Sequence, residues 1–182
     1  TAALGFIGLQ EDALTRQHRV LSIGLGAGCV SGFLSHHLPS SLRVDVVEID
    51  PVVVKACREQ LGCHFRIADE RSLGEGSDQG EVPYTVFVGD GADYVRRLAN
   101  ERRSGSADGF SAILLDAFDR DDCTPRQLLE PDFLRECREL LRPGGVLVCN
   151  CLSGYARSRE RDEFEATLMT IADCVGPVYT MP

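Results

Sequence analysis

The segment from residue 19 to 50, RVLSIGLGAGCVSGFLSHHLPSSLRVDVVEID, constrains this chain more than any other. Val20-Leu21-Ser22-Ile23 is an apolar run of strand length that breaks into Gly24-Leu25-Gly26-Ala27-Gly28. Apolar residues resume at helical spacing at Val30, Phe33, Leu34 and His37. A second apolar run, Val44 to Ile49, then ends with Glu48 and Asp50. Strand, glycine turn, helix and strand make up the βαβ unit of a nucleotide-binding parallel sheet. Glycines let the backbone turn tightly and approach a ligand with no Cβ in the way. The acidic pair suits the two hydroxyls of a ribose. Three glycines alone are common in loops. Their place between strand and helix, with carboxylates closing the next strand, points to a nucleotide-type cofactor.

The rest of the chain continues the alternation. Pro51 opens a helix with Val53, Val54, Cys57 and Leu61 on its apolar face, and Gly62 stops it. Residues 63–67 are a short extended candidate, and the polar, aperiodic stretch 69–81 reads as a surface insertion. A third strand over 84–88 runs into Gly89-Asp90-Gly91-Ala92, followed by a helix over 93–100 and a solvated loop over 101–109. The fourth strand, 110–115, delivers Asp116, Asp119, Asp121 and Asp122 into a loop. A helix over 131–141 is stopped by Arg142-Pro143-Gly144-Gly145, and a fifth strand follows over 146–152. A last helix over 159–174 and a sixth strand over 177–181 complete the pattern, with residues 1–18 as a helical lead-in. The expected fold is α/β and Rossmann-like: one domain over 1–182, a mostly parallel sheet with helices on both faces.

Composition narrows the function. A hydrophobic fraction of 43% is that of a globular protein, and no apolar run is long enough to span a membrane. The net charge of -9 argues against nucleic acid as a partner and is compatible with a cationic one. Eight cysteines include no CxxC pair, and the four histidines make no zinc spacing. This predicts a reduced, cytoplasmic protein with no structural metal.

Ligands of an open parallel sheet bind beyond the carboxyl ends of its strands. Four strand ends here carry Gly24, Gly26 and Gly28; Glu48 with Asp50; Asp90 with Gly91; and Asp116 with Asp119. Glu48 is expected to hold a ribose, Asp90 to accept from an adenine amine, and the glycines with Gly91 to lie against the cofactor. Asp116 belongs both to the cofactor site and, with Asp119, to the catalytic centre, where a carboxylate can orient a cationic amine or take its proton. The alternative for Asp90 is a plain helix cap. A dinucleotide fingerprint would need glycine at the sixth position, where Cys29 stands. S-adenosylmethionine, giving S-adenosylhomocysteine, is the better expectation.

The stretches VLSIGLGAG, VVEIDPVVVKAC, VFVGDGADYV, FSAILLDAFD and FLRECRELLRPGGVLVCN resemble class I S-adenosylmethionine-dependent methyltransferases, in their spermidine-synthase-like branch. The GLGAG turn, HLPSSLRVDVVEIDP and the strand-four aspartates are most similar to the spermidine-synthase-like domain of elongation factor 1-alpha lysine and N-terminal methyltransferases. The resemblance implies methyl transfer to a protein amine, and the negative net charge is compatible with a basic protein segment as that acceptor. It also implies a final antiparallel strand, for which no residues remain before Pro182. Aminopropyltransferases of the same branch carry an aspartate in the glycine turn, where this chain has Ala27, and a D-x-x-D-P loop, where Arg120 follows Asp119. Aminopropyl transfer from decarboxylated S-adenosylmethionine is the alternative activity, and a catalytically silent interaction domain is the alternative of another class.

Overall fold

The structure is a computed structural model that describes residues 18–37, 42–68, 84–105, 109–121, 123–150 and 158–180. The lead-in over 1–18, apart from His18, and the insertion over 69–81 lie outside the described residues. The strands are β1 (His18–Ile23), β2 (Leu42–Glu48), β3 (Arg66–Ala68), β4 (Thr85–Val88), β5 (Phe110–Leu115) and β6 (Leu141–Cys149). The helices are α1 (Cys29–His37), α2 (Pro51–Glu59), α3 (Gly91–Arg103), α4 (Pro131–Leu140) and α5 (Ser158–Cys174), with a 3-10 turn at Arg126–Leu129. One sheet in the order β3-β4-β2-β1-β5-β6 joins all six strands, and each pairing is parallel.

The central strands are buried on both faces, which is why they read as continuous apolar runs. Side chains alternate across a strand, so Val20, Val44, Val46, Val86 and Ala112 pack against Leu34 of α1 and Val54 and Cys57 of α2. Leu21, Ile23, Val47, Ile113 and Leu115 turn the other way, onto a second cluster built with α3, α4 and α5. Each such Val, Leu or Ile contributes about 1.5–3 kcal/mol on burial. On α4 the stripe Phe133, Leu134, Cys137 and Leu140 is wholly buried, as its spacing requires.

The structure corrects three boundaries. Asp90 caps a helix that begins at Gly91 and continues to Arg103, where Arg103 Nη2 meets Glu139 Oε2 of α4 at 2.7 Å, so part of the expected loop is helix. The Arg142-Pro143-Gly144-Gly145 stop lies inside β6. Pairing jumps there from Phe110↔Leu141 to Ala112↔Val146, and Gly144 at φ +77 absorbs the extra residues as a bulge. The expected sixth strand over 177–181 is absent from its described part. Gly176 (φ +143) turns the chain out of α5, and Tyr179 is 75% exposed, unlike a side chain inserted in a sheet.

Parallel pairing brings every strand's carboxyl end to one rim. The backbone ladder continues into it through Gly24 N→Val47 O, Gly89 N→Glu48 O, Asp116 N→Ile23 O and Asn150 N→Leu115 O, at 2.8 to 2.9 Å. The rim residues therefore hang from the sheet itself and share its rigidity.

Candidate active site

Gly24 has φ +100, a conformation that L side chains rarely adopt. A Cβ built on it would collide with the carbonyl oxygen of Asp116, so this glycine lets the ends of β1 and β5 close on each other. Gly26 (φ +52) differs: nothing lies within 4 Å of where its Cβ would be, and it faces a cavity. One glycine of the turn thus serves packing and another keeps open space beside the rim.

That cavity has a volume of about 290 Å³, near the lower end of small-molecule sites. Its lining includes Gly24, Gly26, Glu48, Asp90, Gly91 and Asp116, so six of the nine rim residues singled out in the sequence converge here. Gly28 sits behind the turn instead, its Cβ position 3.1 Å from Cys63 Sγ and 3.2 Å from Tyr84 Oη. Asp119 is also outside the lining. Its Oδ1 accepts from the backbone N–H groups of Asp121 (2.9 Å) and Cys123 (3.0 Å), which makes it the brace of its own loop. Asp50 caps α2 by accepting from Val52 N at 2.8 Å, so Glu48 alone of the acidic pair faces the cavity.

The three cavity carboxylates are each held by specific donors. Glu48 is 8% exposed; its Oε2 accepts from Leu25 N and its Oε1 from Asp50 N, both at 2.9 Å. Asp90 Oδ1 accepts from Ala92 N at 2.7 Å and Asp93 N at 3.2 Å, so the cap reading is correct. Its Oδ2 accepts from Gln127 Nε2 at 3.1 Å, and both residues line the cavity. Asp116 Oδ1 accepts from Asn150 Nδ2 at 2.8 Å. Gln127 and Asn150 are the site residues that sequence reasoning missed. Gln127 lies on a short 3-10 turn with no periodic signal, and Asn150 directly follows β6, where only the rim rule would have drawn attention to it.

Apolar walls complete the site: Ile49, 65% exposed at the end of β2, with Val53, Phe118 and Leu128. Among the described residues no lysine, arginine or histidine lines the cavity. A pocket with carboxylates for hydroxyls and amines, apolar slabs for a ring and no cation for a phosphate fits a positively charged nucleoside far better than a pyrophosphate. S-adenosylmethionine is such a compound, and the donor set fits it.

Fold and rim together define a Rossmann-like α/β protein of the class I methyltransferase architecture. Solved structures agree: human Methyltransferase-like protein 13 in complex with SAH aligns with a TM-score of 0.69 and 24% identity over 92% of this chain and 68% of that one. A probable spermidine synthase from Corynebacterium glutamicum aligns with a TM-score of 0.62 and 22% identity over 93% of this chain and 51% of that one.

The chain belongs to the spermine/spermidine synthase domain family, whose model matches residues 6–181. Among curated relatives, the polyamine aminopropyltransferase of Chromobacterium violaceum is 32% identical over 86% of this chain and 49% of its own length. The eEF1A lysine and N-terminal methyltransferase of Mus musculus is 26% identical over 87% of this chain and 21% of its own length. The chain thus spans about half, or less, of the length of these relatives.

Proposed function

We propose that this chain is an S-adenosylmethionine-dependent methyltransferase acting on an amine, with a basic protein segment as acceptor. The observation that carries the proposal is the cavity's charge: Glu48, Asp90 and Asp116, with no basic residue among the described ones that line it. Glu48 would hold the ribose hydroxyls, and Asp90 with the backbone at Gly91 would hold the adenine edge. Gly24 and Gly26 would lie against the methionine tail. The first turn of α1 has no acidic residue, so the positive end of that helix is open to the tail's carboxylate. An aspartate at position 27 would repel it; Ala27 does not.

When bound, the sulfonium supplies an electrophilic methyl group and leaves as the neutral thioether. The chain's own part is alignment and charge. Asp116, oriented by Asn150, is placed to orient the acceptor ammonium and take its proton before attack. Asp119 contributes by bracing the loop that begins at Phe118. Most cysteines lie in apolar or amphipathic segments without a disulfide-scaffold pattern, and on that ground we place the protein in the cytoplasm. Among the described residues no helix is long and apolar enough to cross a membrane.

Aminopropyl transfer is the second reading, favoured by the 32% identity to the Chromobacterium enzyme. Calorimetry with S-adenosylmethionine and its decarboxylated form separates the two, because only the first has the tail carboxylate. Tighter binding of the decarboxylated compound reverses the order. Radiolabelled methyl transfer to cell extract then identifies the acceptor: a labelled protein band is expected, and label confined to small polyamines overturns the protein assignment.

A further inference from the structure

Behind the glycine turn lie two thiols that the proposed transfer does not use. Cys57, 1% exposed on α2, donates its Sγ–H to the carbonyl oxygen of Gly26 at 3.0 Å. Cys63, half-buried just beyond α2, donates to the carbonyl oxygen of Ala27 at 3.7 Å. Cys63 Sγ and Tyr84 Oη crowd the same spot, 3.1 and 3.2 Å from where a Cβ on Gly28 would lie. The backbone folds the two cysteines together: Cys63 N donates to Cys57 O at 3.0 Å just past the end of α2. Both sulfurs therefore hold the same turn whose other side faces the cavity.

We propose that Cys57 and Cys63 form a reversible modification site for a peroxide-class oxidant. Their disulfide withdraws both sulfurs from the Gly26 and Ala27 carbonyls and weakens binding of the adenosyl ligand. The site itself stands on the thiol geometry; its effect on the ligand rests on the function proposed above.

The sequence of steps follows from access. Cys63 is reachable from solvent and reacts first: its thiolate attacks a peroxide oxygen, the O–O bond breaks, and the sulfur becomes a sulfenic acid as hydroxide leaves. Burial, then the neighbouring Cys63 and Glu48, push the Cys57 thiol up, so it stays protonated and acts second. Its sulfur attacks the Cys63 sulfur, the S–O bond breaks, and the departing hydroxide takes the Cys57 proton as water. In sum, two thiols and one hydrogen peroxide give one disulfide and two waters.

The test uses the purified chain, reduced or treated with hydrogen peroxide, analysed by non-reducing peptide mapping and by calorimetry with S-adenosylhomocysteine. A Cys57–Cys63 link with a mass lower by about 2 Da is expected. Binding should weaken about 5-fold or more and recover with dithiothreitol. Cys63→Ser, and independently Cys63→Ala, should form no such link and should lose no affinity on peroxide treatment. A Cys29–Cys63 link, no link at all, or a Cys57–Cys63 link with unchanged affinity overturns the proposal. If the reduced protein binds no S-adenosylhomocysteine, the cofactor assignment fails, while the peptide map still decides the disulfide.

Discussion

Leu25 N donates to Glu48 Oε2 at 2.9 Å, clipping the glycine turn to the end of β2. With Asp50 N on Oε1, each oxygen of this nearly buried carboxylate already accepts one backbone N–H. Glu48→Gln keeps the shape but sets an amide NH₂ against a backbone donor, leaving a buried N–H unsatisfied at a cost of about 1–3 kcal/mol. Urea denaturation should show that loss, and calorimetry a tenfold or greater loss of S-adenosylmethionine affinity. An unchanged midpoint and unchanged affinity would remove Glu48 from both roles.

Two glycines of one turn should respond oppositely to the same change. Gly24→Ala drives a methyl into the Asp116 carbonyl at a positive φ and should destabilise the fold by about 3 kcal/mol or more. Gly26→Ala meets no neighbour and carries only the left-handed backbone cost of about 1–2 kcal/mol. It should remain folded while binding the cofactor more weakly. Thermal melting read beside calorimetry checks the pair.

Gln127→Ala removes the exposed hydrogen bond to Asp90 Oδ2. Stability should change by no more than about 0.5 kcal/mol, because the contact is at the surface. Cofactor affinity should fall about 5-fold, since the 3-10 turn is no longer tied to the rim. A stability loss without an affinity loss would make Gln127 purely structural.

Asp116 and Asp119 should separate kinetically. Asp116→Asn leaves a side chain that no longer accepts the acceptor's proton, and kcat should fall about 100-fold or more. Asp119→Asn still offers an oxygen to Asp121 N and Cys123 N, so its effect should stay within about threefold. Equal losses would return Asp119 to the reacting centre.

Stability should decline in alkali. Burial, first of all, pushes the Tyr94 phenol and the Cys137 thiol up, so both stay protonated when folded. The unfolded chain releases these protons near about pH 8.5 for cysteine and about pH 10 for tyrosine. Above those values it binds fewer protons than the native state, and unfolding becomes easier by up to about 1.4 kcal/mol per pH unit per group. Tyr94→Phe should flatten the fall above about pH 10. It should also leave neutral stability equal or higher, because the Tyr94 hydroxyl is buried with no hydrogen-bond partner among the described residues. Urea midpoints across the pH range measure both effects.

Buried parallel strands write themselves plainly, since a strand covered on two faces is mostly apolar and takes a polar residue only where a partner meets it, as Arg19 meets Asp45 and Ser111 meets His18. β1, β2 and β5 were therefore legible, as was the turn whose glycines interrupt that run. What escaped depends on contacts remote in sequence. Whether Arg142 to Gly145 ends a helix or bulges a strand is decided by pairing with Phe110, not by Pro143. Asp119 and Asp116 look alike as letters, and only the fold of the loop turns one inward to Asn150 and the other onto its own backbone. Gln127 reaches Asp90 across 37 positions from a segment with no period.

The middle of the sheet has a consequence for biosynthesis. β1 is flanked by β2 and β5, and Val20 must await Ala112, roughly 90 residues downstream, before its second side is covered. A ribosome emitting this chain thus extrudes half of a sandwich whose Leu21 and Ile23 stay bare for several seconds at ordinary elongation speed. Newly made copies should therefore gain from a nascent-chain chaperone, and slowing translation between these strands should send more of them into aggregates.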